Sequence, residues 1–184
     1  MERKHEMNLL LDIPKTDIRR EKILSWANRY TLHAYEGNFA REEELLGLKK
    51  DIQRRGHLMK AELEKVVHWK SSRQLGSIRR NSETTIVQQT KAAFESTDVW
   101  QCVDHLREIK GVGMAVASAI LHLYHKDNYP IYDAHALRAV GEAEDETLWE
   151  DYVDFCRAVA QENKVDMRTL DRALYRFGFV LTIL

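Results

Sequence analysis

The residues best placed to do chemistry begin with two glycines that flank a valine: Gly111, Val112 and Gly113. Glycine suits a sharp bend because it lacks a Cβ and accepts positive φ angles and close backbone contact. An apolar helical pattern ends at Ile109, and an alanine-rich helical pattern starts after the bend. The first amides of that second helix have no acceptor inside the helix, and the helix dipole adds partial positive charge there. The pattern therefore predicts a site where backbone N–H groups bind a phosphate oxygen.

Six consecutive residues make up this predicted anion site: Lys110, Gly111, Val112, Gly113, Met114 and Ala115. We expect Val112 to fill the space between the two helices, and the small alanines that follow to let these helices pack closely. Lys110 before the bend and Lys126 after the second helix would add positive charge for phosphates. An ordinary connection between two helices, without a ligand, is the alternative.

One acidic residue follows about a helix later, in the stretch Tyr129–Arg138. Pro130 predicts an extended approach, and Asp133 is well placed to cap a short helix that starts at Ala134. A carboxylate held beneath a sugar ring can also stabilise developing positive charge or orient a water molecule. Both roles for Asp133, helix cap and catalytic group, remain open from the residues alone.

Together these two stretches resemble the helix-hairpin-helix base-excision DNA glycosylases, the superfamily that includes endonuclease III. The family's hairpin Leu-Pro-Gly-Val-Gly is similar to Ile109–Gly113, and its Asp-Thr-His segment with a following arginine is similar to Asp133–His135 with Arg138. The resemblance covers residues 106–140 of the 184. It implies that double-stranded DNA is the partner and that Asp133 is the catalytic carboxylate for hydrolysis of an N-glycosidic bond. It also implies a monovalent cation at the hairpin carbonyls, with no other cofactor expected.

The sequence departs from the family pattern at several positions. Ala115 stands where bifunctional members carry a lysine nucleophile, so the implied activity leaves the DNA strand intact. Lys110 replaces the usual proline. The only cysteines, Cys102 and Cys156, are too few for a disulfide framework or for a four-cysteine iron–sulfur cluster within this chain. The resemblance is therefore to a diverged member without that cluster.

Four further residues could support such a site: Tyr132, His135, Arg138 and Trp69. His135 and Arg138 are three positions apart, so they share one helix face. Tyr132 and Trp69 could stack on a base that has been turned out of the duplex, although aromatic residues are more often part of a core. The spacing of the histidines does not favour a metal site, and none is predicted.

Charge is unevenly distributed although the formal net charge is only −1. The stretch Lys49–Arg80 holds ten basic residues against three acidic ones, whereas Glu142–Asp154 holds seven acidic residues and no basic one. This asymmetry fits one face that binds an anion and another that points away from it. Solvated helix faces explain both stretches equally simply.

Helical spacing along the chain predicts an all-α fold of about eight helices containing the helix-hairpin-helix, in one domain over residues 16–184 after a flexible segment 1–15. Gly37-Asn38 is expected to end the first helix, and Arg41–Arg54 to form the second. Asn81 or Ser82 is expected to cap the helix from Glu83. No apolar run is long enough for a membrane span, so a cytoplasmic protein is expected, with its oligomeric state open.

Three functions are compatible with these features. The first is a monofunctional DNA glycosylase that uses Asp133, and the sequence favours it slightly. The second is a helix-hairpin-helix module that binds the DNA backbone and catalyses nothing. The third is a protein-interaction domain, which suits the near-neutral net charge and the acidic stretch Glu142–Asp154.

Overall fold

The computed structural model describes residues 19–33 and 36–182, and within them the chain is helical and forms no strand. This confirms the all-α prediction. The predicted flexible segment 1–15 lies outside the described residues. The α-helices are α1 (Arg20–His33), α2 (Glu36–Gly47), α3 (Lys49–Arg55), α4 (Lys60–Ser71), α5 (Leu75–Ile78), α6 (Glu83–Glu95), α7 (Val99–Arg107), α8 (Met114–Tyr124), α9 (Ala134–Ala139), α10 (Trp149–Glu162) and α11 (Met167–Val180). Two 3-10 helices cover Ser72–Gln74 and Glu146–Leu148.

The chain divides into two compact units. The central unit spans Tyr35–Asn128 and contains α2 to α8. The discontinuous unit joins α1, near the start of the chain, to the residues from Tyr129 onward, which form α9, α10 and α11. In the described part of the chain, no helix has the length and apolar character needed to cross a membrane.

The central unit has its core between α4, α6, α7 and α8. Leu63, Val66 and Val67 form the buried face of α4, and Ile120 and Leu121 are fully buried on α8. Each fully buried side chain of this size contributes about 1.5–3 kcal/mol relative to an exposed one. These contacts place α8 at the centre of the unit, where its first residue Met114 is already buried, whereas Gly113 directly before it is exposed.

The first half of the central unit differs from the prediction. Gly37-Asn38 lies inside α2 and does not end α1, and the predicted helix Arg41–Arg54 is interrupted at Leu48, between α2 and α3. Glycine inside a helix costs only about 1 kcal/mol. Burial of Leu45, where α2 packs on α4, outweighs this cost. Ser82, and not Asn81, caps α6 by accepting a hydrogen bond from the Thr85 amide.

The discontinuous unit is built around α11, which packs against α1 and α9. Trp26 on α1 meets Phe177 edge to face, with ring centroids 5.1 Å apart. Gly178 sits where α11 crosses α9, and a Cβ at this position would lie 1.7 Å from the carbonyl oxygen of His135. Because no side chain fits there, Gly178 sets how closely α9 approaches α11.

Candidate functional site

The bend between α7 and α8 comprises Lys110, Gly111, Val112 and Gly113. The Val112 amide donates to the Ile109 carbonyl over 3.0 Å, which closes the turn. Ile109 and Val112 are both buried, as expected for residues that join two packed helices. Lys110 and Gly113 are exposed, so the bend presents part of its backbone to solvent.

Gly111 is required by the fold itself. Its φ of 94° lies in the left-handed region, which side chains other than glycine rarely adopt. A Cβ at this position would also lie 2.7 Å from the Cβ of Ser77 and 3.3 Å from the Ile78 nitrogen. Gly111 therefore packs directly on α5, and the prediction of close backbone approach is confirmed at this glycine.

Gly113, unlike Gly111, is not required by the backbone conformation or by close packing. Its backbone is extended, with φ −100° and ψ −177°, a conformation open to any residue. A Cβ at Gly113 would meet no atom of the described chain within 4 Å. The expectation that both glycines serve the bend is therefore wrong for Gly113. A side chain at this position would extend only into the space in front of α8.

The first amides of α8 face that space. The Gly113 carbonyl accepts hydrogen bonds from the amides of Val116 and Ala117, which start the helix. No side chain caps α8, and the amides of Gly113, Met114 and Ala115 have no acceptor among the residues that the structure describes. The partial positive charge of the helix end is thus left uncompensated within the described chain.

The Asn81 side chain holds the bend in place through hydrogen bonds, a role that the sequence did not indicate. Its Oδ1 accepts a hydrogen bond from the Lys110 amide over 2.9 Å, and its Nδ2 donates to the Lys110 carbonyl over 2.9 Å. Nδ2 also lies 2.9 Å from the carbonyl oxygen of Ile78. The two residues are 29 positions apart, so no local pattern could have identified the contact.

Part of the basic stretch Lys49–Arg80 forms ion pairs or hydrogen bonds inside the central unit. Four of its residues pair with carboxylates: Arg54 with Asp51, Arg55 with Glu62, Lys65 with Glu44 and Arg79 with Glu64. Lys60 donates to two backbone carbonyls. Arg73 and Arg80 are exposed and form no ion pair with any residue in the described ranges. Three of these carboxylates, Asp51, Glu62 and Glu64, belong to the stretch itself and only Glu44 lies outside it, so the stretch keeps most of its positive excess.

Asp133 caps α9, as predicted. Its Oδ1 accepts a hydrogen bond from the His135 amide over 2.9 Å, and the residue is half-buried. The chain before it is fixed by Asp171, whose Oδ1 accepts from the Ile131 amide over 3.1 Å. Arg168 holds the other oxygen of Asp171 at 2.6 Å. Asp133 thus extends from a rigid segment of the discontinuous unit, whereas the bend belongs to the central unit.

His135 and Arg138 share one face of α9, as expected from their spacing. An Arg138 NH donates to His135 Nδ1 over 3.3 Å. The His135 ring also meets the rings of Tyr175 and Phe179 edge to face, with centroids 5.2 and 5.4 Å apart. These contacts tie α9 to α11, so His135 has the structural role that the sequence also allowed.

The two aromatic candidates lie in different units. Trp69 is half-buried on α4 of the central unit. Tyr132, in the discontinuous unit, is buried edge to face against Trp149 at 6.3 Å. Burial, followed by the nearby carboxylates of Glu144, Glu146 and Asp145, raises the pKa of Tyr132 to about 12. Tyr132 is therefore a neutral core residue here and has no open ring face for a base.

Asp133 influences two tyrosine hydroxyls of its own unit. Burial raises the pKa of Tyr175, and the Asp133 carboxylate raises it further. Tyr152 is fully buried, and burial is the main cause of its raised pKa, with Cys156, Asp171 and Asp133 adding to the effect. The charge of Asp133 therefore adds to the effect of burial on the pKa of both phenols.

Within residues 19–33 and 36–182, no group of three or more His, Cys, Asp and Glu side chains is arranged to hold a metal ion. Compared with known proteins, the chain matches no family model, no curated protein and no solved structure. The candidate site is therefore defined by the geometry of the bend and of Asp133.

Proposed function

We propose that this protein binds the backbone of double-stranded DNA through the bend Lys110–Gly113 and the first turn of α8, as a helix-hairpin-helix contact. The observation that carries the proposal is Gly113. Nothing in the described chain requires glycine at this exposed, extended position, but a ligand that reaches the α8 amides would pass over it.

The chemistry of this contact follows from the donors present. A phosphate oxygen would accept hydrogen bonds from the amides of Gly113, Met114 and Ala115, and the positive end of the α8 dipole favours its charge. The exposed ammonium of Lys110 adds a charge-assisted contact. Because these groups reach phosphates and no base edges, binding would be independent of DNA sequence.

DNA binding at the bend does not require the monovalent cation that the family resemblance implies. The carbonyls of Ile109, Lys110 and Gly113 already accept hydrogen bonds from Val112, Asn81 and the start of α8. Each of these carbonyl oxygens has a second lone pair, so DNA binding at the bend is proposed independently of a cation.

The test separates DNA affinity from stability. Gly113→Val adds a branched side chain in front of the α8 amides, and we expect at least a tenfold loss of affinity for a fluorescent duplex measured by anisotropy. Gly47→Ala is the matched control, because Gly47 is also exposed with no atom within 4 Å of a Cβ. The melting temperature of each variant should stay near that of the wild type. Equal affinity of Gly113→Val and wild type, or no binding by the wild type, contradicts the proposal and favours a protein-interaction domain.

A second candidate function is hydrolysis of an N-glycosidic bond by Asp133. The carboxylate of Asp133, held half-buried at the start of α9, is the observation that favours it. Such a carboxylate could stabilise positive charge on the sugar or orient water, and Ala115 offers no amine for strand cleavage. The product would be an abasic site in an intact strand.

Asp133→Asn tests this activity, because asparagine keeps the acceptor that caps α9 and removes the charge. We expect loss of base release from damaged duplexes with DNA affinity changed less than threefold. Asp166→Asn, at the matching cap position of α11, is the control and should retain full activity. If the wild type releases no base from any damaged duplex tested, the second function is rejected while backbone binding stands.

A further inference from the structure

The Asn81 side chain connects two surface segments of the central unit. It bonds both the N–H and the C=O of Lys110, each over 2.9 Å, and it also bonds the carbonyl of Ile78 at the end of α5. Only an amide can do this, because one side chain must accept from an N–H and donate to carbonyls. Aspartate would place a carboxylate oxygen against those carbonyl oxygens, which repel it. Alanine would remove both hydrogen bonds to Lys110.

The turn that carries Asn81 is itself held firmly. Lys60 Nζ donates to the carbonyls of Arg79 and Asn81 over 2.8 and 2.7 Å. Arg79 pairs with Glu64 at 3.2 Å. Lys60 and Arg79 thus already interact with groups of the central unit. Arg80, between these anchored residues, is exposed and has no ion pair with any side chain in the described ranges.

The two segments also touch through Gly111. The nearest atoms to a Cβ at Gly111 belong to Ser77, Ile78 and Gln74. The turn and the bend therefore meet at two points, Gly111 against Ser77 and Asn81 on Lys110. Arg80 directly precedes Asn81, with the two Cα atoms about 3.8 Å apart, so its backbone lies close to the residue that bonds Lys110.

We infer that the turn Ser77–Asn81 and the bend form one DNA-binding surface. Arg80 contacts the same phosphate backbone as Lys110. Asn81 is the positioning residue that holds the two segments together. This inference rests on the proposed function and adds a second contact segment to it. Exposed cations on two contacting segments, together with the open amides at the start of α8, suit a polymer with repeated phosphates.

Arg80→Gln tests the second contact and leaves the packing unchanged, because Arg80 is exposed. Loss of one phosphate contact lowers the slope of log K against log salt by about 0.9. We expect this change in duplex titrations from 50 to 300 mM KCl, with a three- to tenfold loss of affinity at low salt. Lys91→Gln is the control, since it removes one exposed charge of the same unit from α6. Equal salt slopes for Arg80→Gln, Lys91→Gln and wild type overturn the inference.

Asn81→Ala tests the positioning role. We expect at least a tenfold loss of affinity and a salt slope lowered by about 0.9, as for Arg80→Gln, because the contact of Arg80 with phosphate is lost although its charge remains. Asn163→Ala, which removes an asparagine bond to the Val159 carbonyl in the other unit, should lower stability without affecting duplex binding. In the Asn81→Ala background, Arg80→Gln should have a clearly smaller effect than in the wild type, a coupling that general destabilisation does not produce.

The outcomes distinguish this inference from the proposed function. If Gly113→Val weakens binding while Arg80→Gln and Asn81→Ala do not, the bend binds DNA alone and the two-segment surface is wrong. If Gly113→Val leaves binding unchanged, both fail together. Fully independent effects of Arg80→Gln and Asn81→Ala also contradict the positioning role of Asn81.

Discussion

The starts of α8 and α9 solve the same physical problem in different ways. Both helices follow a non-helical segment, and both expose first-turn amides that need an acceptor. At α9 the chain supplies one, because the Asp133 carboxylate binds the His135 amide. At α8 no side-chain cap is present, and exposed Gly113 precedes the helix. An internal acid completes one helix end, and the other is open to an external anion.

Two glycines, Gly178 of the discontinuous unit and Gly113 of the central unit, differ in the same way. Gly178 is enclosed by protein, whereas Gly113 faces open space. A glycine that the fold requires and one that it does not require can thus be told apart by what a Cβ would meet.

Gly178→Ala should give the largest loss of stability. Its Cβ would overlap the His135 carbonyl, and overpacking of this kind costs about 3 kcal/mol. Urea denaturation should show the loss in the free energy of unfolding. Gly113→Ala, the matched change in the central unit, should change stability by less than about 1 kcal/mol, because the gain from a stiffer unfolded chain and the loss of glycine at a helix cap oppose each other. A Gly178→Ala variant as stable as wild type would show that α9 and α11 can separate without cost.

Gly113→Asp should convert the start of α8 into one like that of α9. The extended backbone of Gly113 suits a cap residue, so a carboxylate could bind the α8 amides and raise stability by a few tenths of a kcal/mol. The same carboxylate would occupy the phosphate position and repel DNA. We expect at least a 30-fold loss of duplex affinity in anisotropy titrations, larger than for Gly113→Asn, the uncharged control. Equal affinity for both variants would be inconsistent with an anion site at this position.

His125 should make the central unit sensitive to acid. It is buried at the end of α8, where Nδ1 accepts from the Asp127 amide over 3.0 Å and Nε2 lies 3.3 Å from the Ser96 carbonyl. This arrangement needs a neutral ring that donates from Nε2. Burial is the main cause of its lowered pKa, opposed by Asp127 and aided by Lys126.

Because the folded-state pKa of His125 is lowered, its stabilising effect is complete above the unfolded pKa near 6.5 and is lost as the pH falls below that value. Melting temperatures between pH 7.5 and 5 should fall more steeply for wild type than for His125→Gln. Replacement of His68, an exposed histidine of α4, should leave the pH profile unchanged. Parallel profiles for wild type and His125→Gln would contradict this role.

Lys126→Gln should have the smallest effect. The sequence suggested that Lys126 flanks the phosphate site, but it follows the other end of α8, an 11-residue helix about 16 Å long. We expect duplex affinity within twofold of wild type, against a clear loss for Lys110→Gln. Equal losses for the two lysines would place the DNA contact along α8 and not at its start.

The features that the sequence predicted are local ones. Asp133 as the α9 cap and the sharp bend at Gly111 follow from residue type and a few neighbours, and both are confirmed. The predicted helix end at Gly37-Asn38 was wrong. These two residues have low helix propensity, but the packing of α2 on α4 outweighs that preference.

The features that the sequence could not predict join distant residues. Asn81 was considered only as a cap for α6, although its bonds to Lys110 hold the bend in place. The pairing of α1 with α11 brings together opposite ends of the chain, and helical periodicity carries no information about such partners. Gly178 stands in an otherwise regular amphipathic helix, and only the position of His135 shows why it is glycine.

The most direct test of DNA binding by the bend is a titration of the ¹⁵N-labelled protein with a short duplex, followed through its amide NMR signals. The signals of the Gly113, Met114 and Ala115 amides should shift the most, with smaller changes at Lys110. The signal of the His135 amide, which donates to Asp133, should not shift. Shifts centred elsewhere, or none at a duplex concentration that saturates binding, would contradict an anion site at the start of α8.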